Sequence, residues 1–275
     1  MQVAALLVIL GCLALTGCGG GSGREATPDP AVVVWAVGDG GDDGESSRRV
    51  AQLIARDEPD HVIYLGDVYE SGSAEEFRVF GEDFAPLLNR MWPTPGNHDW
   101  PNRADGYDPF WRKALGRPLA HRYERSAAGW QVLSANSETP DDPRQLDWLR
   151  SRADGGGTCR IAFWHRPHLN AGAHTNEQED VKPLWDAVAG RAAIVLNGHD
   201  HDLQRFKPVD GTTEYIAGAG GRSRYAVDAA DPRLAFSNDQ TEAALRIQLT
   251  PGHADLRFIA PDGTVLDDSN VSCEA

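Results

Sequence analysis

The sequence predicts an α/β fold, on three observations. Apolar runs of β-strand character alternate with stretches of helical periodicity, the pattern of βαβ units around a mostly parallel sheet. Those runs end in polar, glycine-rich turns. The 275 residues, 41% of them hydrophobic, suffice for one domain with a sizeable core.

The elements follow in order. Ala31 to Val37 (AVVVWAV) is a buried-strand run. Ser46 to Glu58 places Val50, Leu53 and Ile54 on one helical face and stops before Pro59. Val62 to Leu65 is the next strand. Ala74 to Asn89 carries Phe77, Phe80, Phe84, Leu87 and Leu88 at helical spacing, and Met91 to Pro95 leads into a loop. Arg122 to Glu124 and Trp130 to Ala135 pair as an antiparallel hairpin, and Arg144 to Arg152 is helical. Arg160 to Trp164 and Ala193 to Leu196 are strands around a helix at Lys182 to Val188. Leu245 to Leu266 reads as short strands turning at Pro251-Gly252 and Pro261-Asp262-Gly263. No internal repeat and no boundary interrupts residues 31–275, which are read as one domain.

The net charge of −15 argues against a nucleic-acid scaffold as partner, because backbone binding needs a basic face. An anionic substrate gains nothing from the overall field either. Attraction has to come from a local cation, such as a metal.

Chemistry-bearing residues fall at the ends of five apolar runs: Asp39 after AVVVWAV, Asp67 after HVIYL, Asn97 and His98 after MWPTP, His165 after RIAFW, and His199 and His201 after AAIVLN. In open α/β sheets sites form outside the carboxyl ends of strands, so the five loops can meet at one edge. The donors are oxygen and imidazole without thiolate, which suits Mn, Fe or Zn. His199 and His201, two apart, point the same way in an extended segment. Asn97 and His98, being adjacent, diverge, so one can ligate while the other does acid–base work. Taken singly, an Asp after a strand is usually a turn former and a lone His a surface residue. The ordered set is far more specific.

That set resembles the calcineurin-like metallophosphoesterases, and among them the purple acid phosphatase branch, from about Val32 to Ala219. The resemblance implies two central β-sheets flanked by helices and two divalent or trivalent metal ions. It implies Asp39, a bridging Asp67, Tyr69 and His201 around one metal, and Asp67, Asn97, His165 and His199 around the other. Gly41 stands where the larger superfamily usually has a His, as in that branch. One residue, Val68, separates Asp67 from Tyr69 where the branch has two, so Tyr69 is either a ligand or a packed loop aromatic. His98 would donate a proton to a phosphate oxygen or leaving group. His174, in the loop after the His165 strand, is either a second site-facing histidine or a plain loop residue. The activity implied is hydrolysis of phosphate esters, as an acid-phosphatase-like phosphomonoesterase. A phosphodiesterase or nucleotidase on the same site, or a lipoprotein that binds metal or phosphate without turnover, are the alternatives.

Val3 to Leu15 is apolar and shorter than the ~20 residues of a membrane span, as in the h-region of a signal peptide. It ends in Leu15-Thr16-Gly17-Cys18, which resembles the bacterial lipobox. Residues 1–17 then read as a signal peptide and 18–30, opening on a lipidated Cys18 and rich in Gly and Ser, as a flexible tether. The expected location is the extracytoplasmic face of a bacterial membrane. Cys159 and Cys273 remain in the exported body and could oxidise to a disulfide.

Overall fold

The computed structural model describes residues 1, 31–40 and 44–274. The signal-peptide and tether readings therefore fall almost wholly outside the described residues. Strands and helices alternate at first: β1 (Val32–Val37), α1 (Glu45–Arg56), β2 (His61–Tyr64), α2 (Ala74–Asp83), β3 (Met91–Pro93) and α3 (Tyr107–Leu115). A hairpin, β4 (Tyr123–Ala127) with β5 (Trp130–Ser134), leads to α4 (Pro143–Ala153), β6 (Arg160–Phe163), α5 (Lys182–Val188) and β7 (Ile194–Asn197). The rest is strand: β8 (Leu203–Phe206), β9 (Thr213–Ala217), β10 (Leu234–Asn238), β11 (Ala244–Thr250), β12 (His253–Ile259) and β13 (Val265–Ser272).

They form two sheets, ordered β13-β12-β11-β1-β2-β3 and β10-β8-β9-β7-β6-β5-β4. Three apolar layers hold them together. Val34, Ala36, Ile63 and Leu65 face Val132, Ile161, Phe163, Ile194 and Leu196 between the sheets. The alternate residues Trp35, Val37 and Tyr64 face outward onto Val50, Ile54, Phe77, Phe80 and Trp111 of α1, α2 and α3. On the other outer face, Leu133, Ala162 and Val195 meet Leu149, Leu184 and Trp185 of α4 and α5. Because both faces of β1 are buried, its sequence is a continuous apolar run rather than an alternating one.

The expected mostly parallel sheet is corrected to two mixed sheets. β1–β2–β3 and β5–β6–β7–β9 pair in parallel, but β1–β11–β12–β13, β4–β5 and β9–β8–β10 pair antiparallel. The tail strands are joined by tight turns, too short for the crossover a parallel pair requires. The helix expected at 74–89 stops at Asp83, because Pro86 disfavours helical backbone at Ala85. Its start is well specified: Ser73 and Glu76 form a reciprocal capping box. α3 was not anticipated, since it is nine residues long and starts next to a glycine.

Cys159 and Cys273 are joined, with Cα atoms 4.9 Å apart. The bond ties the end of β13, in the first sheet, to the residue before β6, in the second. The closed loop spans 114 residues, and the chain-entropy model gives about 4.7 kcal/mol for a loop of ~100. The paired variant Cys159→Ala/Cys273→Ala should therefore melt several degrees lower than the parent, and dithiothreitol should lower the parent's Tm but not the variant's. Equal melting points by differential scanning calorimetry would show that the bond does not stabilise the fold.

Candidate metal centre

The two sheets present their carboxyl ends side by side. β1, β2 and β3 lead into Asp39, Asp67 and Asn97-His98; the neighbouring β6 and β7 lead into His165 and His199 to His201. The loops are held in unusual backbone. Asp39, Asp67, Tyr69 and His199 have φ of 61°, 56°, 95° and 72°, a left-handed region that costs non-glycine residues energy and persists where surroundings over-determine it. Gly96 makes this crowding possible: a Cβ there would lie 2.0 Å from Asp67 Oδ1. Asp99 fastens the loops, accepting from the backbone N–H groups of Asp67 at 2.8 Å, Val68 at 2.9 Å and Gly96 at 2.9 Å.

One group of donors converges around His165. Its Nδ1 lies 2.8 Å from the Leu65 carbonyl, so it carries the proton and donates there. Nε2 is the atom turned to the centre, 3.0 Å from Asn97 Oδ1, 3.3 Å from Asp67 Oδ2 and 3.2 Å from His199 Nδ1. The ligand atoms of Asp67, His165 and His199 lie within 4.8 Å of one another. A second group adjoins it. His201 Nδ1 donates to the Ser223 carbonyl at 2.9 Å, and its Nε2 stands 3.8 Å from Asp39 Oδ1. Asp39 Oδ2 accepts from the His199 backbone at 2.9 Å, while Oδ1 is buried with no hydrogen-bond partner.

The electrostatics ask for positive charge. Burial, reinforced by Asp67, pushes the Asp39 pKa well up. Burial opposes charge on His165, yet the Asp67 and Asp39 carboxylates outweigh it and push its pKa up to about 10. Burial holds His201 down at about 4, a neutral imidazole ready to ligate. Buried carboxylates are stabilised by pairing or by a metal. The orphaned Asp39 Oδ1, the oxygen and imidazole donors and the backbone-anchored rings all fit two cations, with Asp67 between them.

His98 sits at the rim, its side chain about one third exposed. Its backbone N–H donates to Asp67 Oδ1 at 2.9 Å and its Nδ1 donates to the Glu70 carbonyl. Nε2, 3.9 Å from Asp67 Oδ2, is left on the open side. His174 also faces the centre. Its ring is 4.2 Å from that of His199, and its Nδ1 donates to Asp200 Oδ1 at 3.0 Å, a bond that raises its pKa.

Tyr69 is the exception. Its hydroxyl donates to Asp83 Oδ2 on α2 at 3.1 Å, and burial together with that carboxylate raises its pKa, so the phenol stays neutral. Of the two alternatives, this arrangement is that of the packed loop aromatic: with one intervening residue, the left-handed turn at Tyr69 swings its hydroxyl onto the helix.

Several residues escaped sequence reasoning. Asp200 accepts from the N–H groups of Ala173 and His174 and from the Asn170 amide, and so fixes the loop that carries His174. Glu177 Oε2 lies 3.0 Å from His199 Nε2 and pairs with Arg166, which also holds Glu138 at 3.0 Å. Glu177 thereby fixes the His199 tautomer with Nδ1 free, and such outer carboxylates are typically worth ~10–100-fold in metal affinity. Glu177→Ala should weaken the second metal by about that factor in a calorimetric titration, and Glu177→Gln, which keeps an acceptor, should lose less. Equal affinities in all three proteins would remove this role.

Residues 32–203 match the family described as calcineurin-like phosphoesterase. Over 234 residues the chain is 28% identical to a 3',5'-cyclic adenosine monophosphate phosphodiesterase of Pseudomonas aeruginosa, covering 80% of this chain and 78% of that protein. It is 27% identical over 172 residues to a probable cyclic nucleotide phosphodiesterase of Synechococcus, 58% of this chain and 63% of the relative, so it spans just under two thirds of that relative's length. Purple acid phosphatase from yellow lupin seeds aligns with a TM-score of 0.72 at 17% identity, over 88% of this chain and 54% of that one. The Plasmodium inner-membrane-complex anchor GAP50 gives 0.71 at 12% identity, over 89% of each chain. At those identities the solved structures establish the fold alone. The family match covers more than half of the sequence, and the chain belongs to the calcineurin-like phosphoesterase family.

Proposed function

We propose that the chain hydrolyses phosphate esters at this centre, as an exported enzyme held at a membrane by Cys18. The convergence of Asp67, Asn97, His165 and His199 on one point, with Asp39 and His201 beside it, carries the reading. Calcineurin-like phosphoesterases are dinuclear-metal enzymes, and two such ions supply charge stabilisation to the attacking and leaving oxygens of an in-line displacement. Here Asp67, Asn97, His165 and His199 would hold one ion and Asp39, Asp67 and His201 the other.

The chain's own groups do the rest. His98, anchored through Nδ1, offers a proton from Nε2 to the departing oxygen. His174, oriented by Asp200 with its ring against that of His199, can donate to a phosphate oxygen. Asp99 and the Leu65 and Ser223 carbonyls keep the ligands in register, so little reorganisation accompanies reaction.

A phosphomonoester is the first substrate class on this reading. The relatives named as cyclic nucleotide phosphodiesterases favour a second, a phosphodiester. A panel of aryl and alkyl monoesters, linear diesters and cyclic nucleotides, run on metal-analysed protein, decides between them. Two bound metals without turnover on any member would leave a binding protein and sink the hydrolase reading. For the tether, Cys18→Ser should release the protein from the membrane fraction; unchanged fractionation would defeat that part of the proposal.

A further inference from the structure

We propose that Arg222 is a clamp for the substrate phosphate, parked on Glu70 until the substrate displaces it; the inference rests on the hydrolase reading above. Arg222 lies in the loop after β9. Its backbone N–H donates to the Asp39 carbonyl at 3.2 Å, and the preceding Gly221 bridges to Gly40. Its guanidinium Nη2 reaches Glu70. Glu70 is three residues beyond Asp67, and its carbonyl accepts from His98 Nδ1. The side chain therefore starts beside one metal ligand and ends on the carboxylate of the residue whose backbone carbonyl anchors the proposed proton donor.

The head group is incompletely used. The Arg222 side chain is 17% exposed, and its Nη1 is buried without a partner. Its one carboxylate, on Glu70, is 57% exposed, and so exposed a pair contributes little stability. A phosphate presents two oxygens to the planar fork of an arginine and takes it bidentately. The exchange of Glu70 for phosphate gives the fork a bidentate partner and leaves Glu70 in water, where it is already half solvated.

The charge of the molecule gives such a cation work to do beside the metals. The chain carries −15, and Asp39, Asp67, Asp99, Asp200 and Asp202 are all buried around the centre. Arg166, a second arginine near the centre, is already held between Glu138 and Glu177. Arg222, released from a solvent-exposed partner, is a cation able to meet an arriving anion.

The test titrates inorganic phosphate into metal-loaded protein by calorimetry, with KM for the best ester in parallel. Arg222→Ala should weaken phosphate on the order of tenfold or more, the effect of losing a charge-assisted contact, and should raise KM while both metals stay bound. Arg222→Lys should fall between, since a point charge lacks the fork. Glu70→Gln should act in the opposite direction, tightening phosphate and lowering KM. A merely structural ion pair predicts that breaking it from either side has the same effect. If Arg222→Ala and Glu70→Gln weaken phosphate alike, or if neither moves its affinity, the clamp is wrong. A wild-type protein that holds metals but hydrolyses nothing would overturn the hydrolase reading instead, and the phosphate titration would still judge the clamp.

Discussion

Replacing Asp67 with alanine should empty both metal positions and reduce hydrolysis to background. Asp67 Oδ2 faces His165 Nε2 at 3.3 Å in one group of donors, and Asp67 and Asp39 share a single buried field in the other. Asp99 is poorly placed to take over, because it is already occupied by three backbone N–H groups. Asn97→Ala and His199→Ala should lose chiefly one ion, since their donors meet only the His165 group. Elemental analysis after gel filtration would read this directly as near zero, about one and about two ions per chain for Asp67→Ala, the single-site variants and the parent, following the two-ion arrangement proposed. If Asp67→Ala keeps both ions and its activity, the dinuclear arrangement should be abandoned.

His98→Ala should give the complementary result: two metals retained and kcat reduced by ~10²–10⁴-fold, the usual contribution of a general acid. His98 differs from Asn97 by one position, yet its ring turns to the Glu70 carbonyl and the rim, while Asn97 Oδ1 turns inward to His165. The loss should shrink for an ester with a good leaving group, which needs little protonation. A variant that sheds metal as fully as Asn97→Ala would make His98 a ligand or a support for the loop, and the acid assignment would fall.

The parts of the centre that were legible in the sequence share one property: each follows an apolar run that is itself a strand. Asp39, Asp67, Asn97, His165, His199 and His201 sit in loops directly after β1, β2, β3, β6 and β7, so periodicity and motif pointed to the same edge. What stayed hidden was buried polarity. Gln204 and Glu214 interrupt the hydrophobic pattern of β8 and β9 but are fully buried. Gln204 Oε1 accepts from Ala171 N–H at 2.9 Å, and Glu214 accepts from His168 and Leu169 at 2.9 and 2.8 Å. A strand whose polar side chains are satisfied by a distant loop carries no signal in its own sequence. Glu177 and Arg222 were invisible for a related reason: one ends a single 3-10 turn and the other lies in an irregular loop, and only tertiary structure brings them to His199 and Glu70. The short spacing at Tyr69 left two readings open in the sequence, and only the tertiary structure brings its hydroxyl to Asp83.

The Cys159–Cys273 bond gains a mechanical meaning from its place. It joins the two sheets at the amino end of β6, and His165 at the other end of the same strand joins them again through the shared centre. With two ions held as proposed, the molecule would be bound like a book, with a covalent spine at one margin and a clasp of metal ions at the other. Chelation would undo the clasp and leave the spine. The free energy of metal binding would then be folding free energy for the carboxyl-end loops, which could loosen for metal exchange while the covers stay registered to each other.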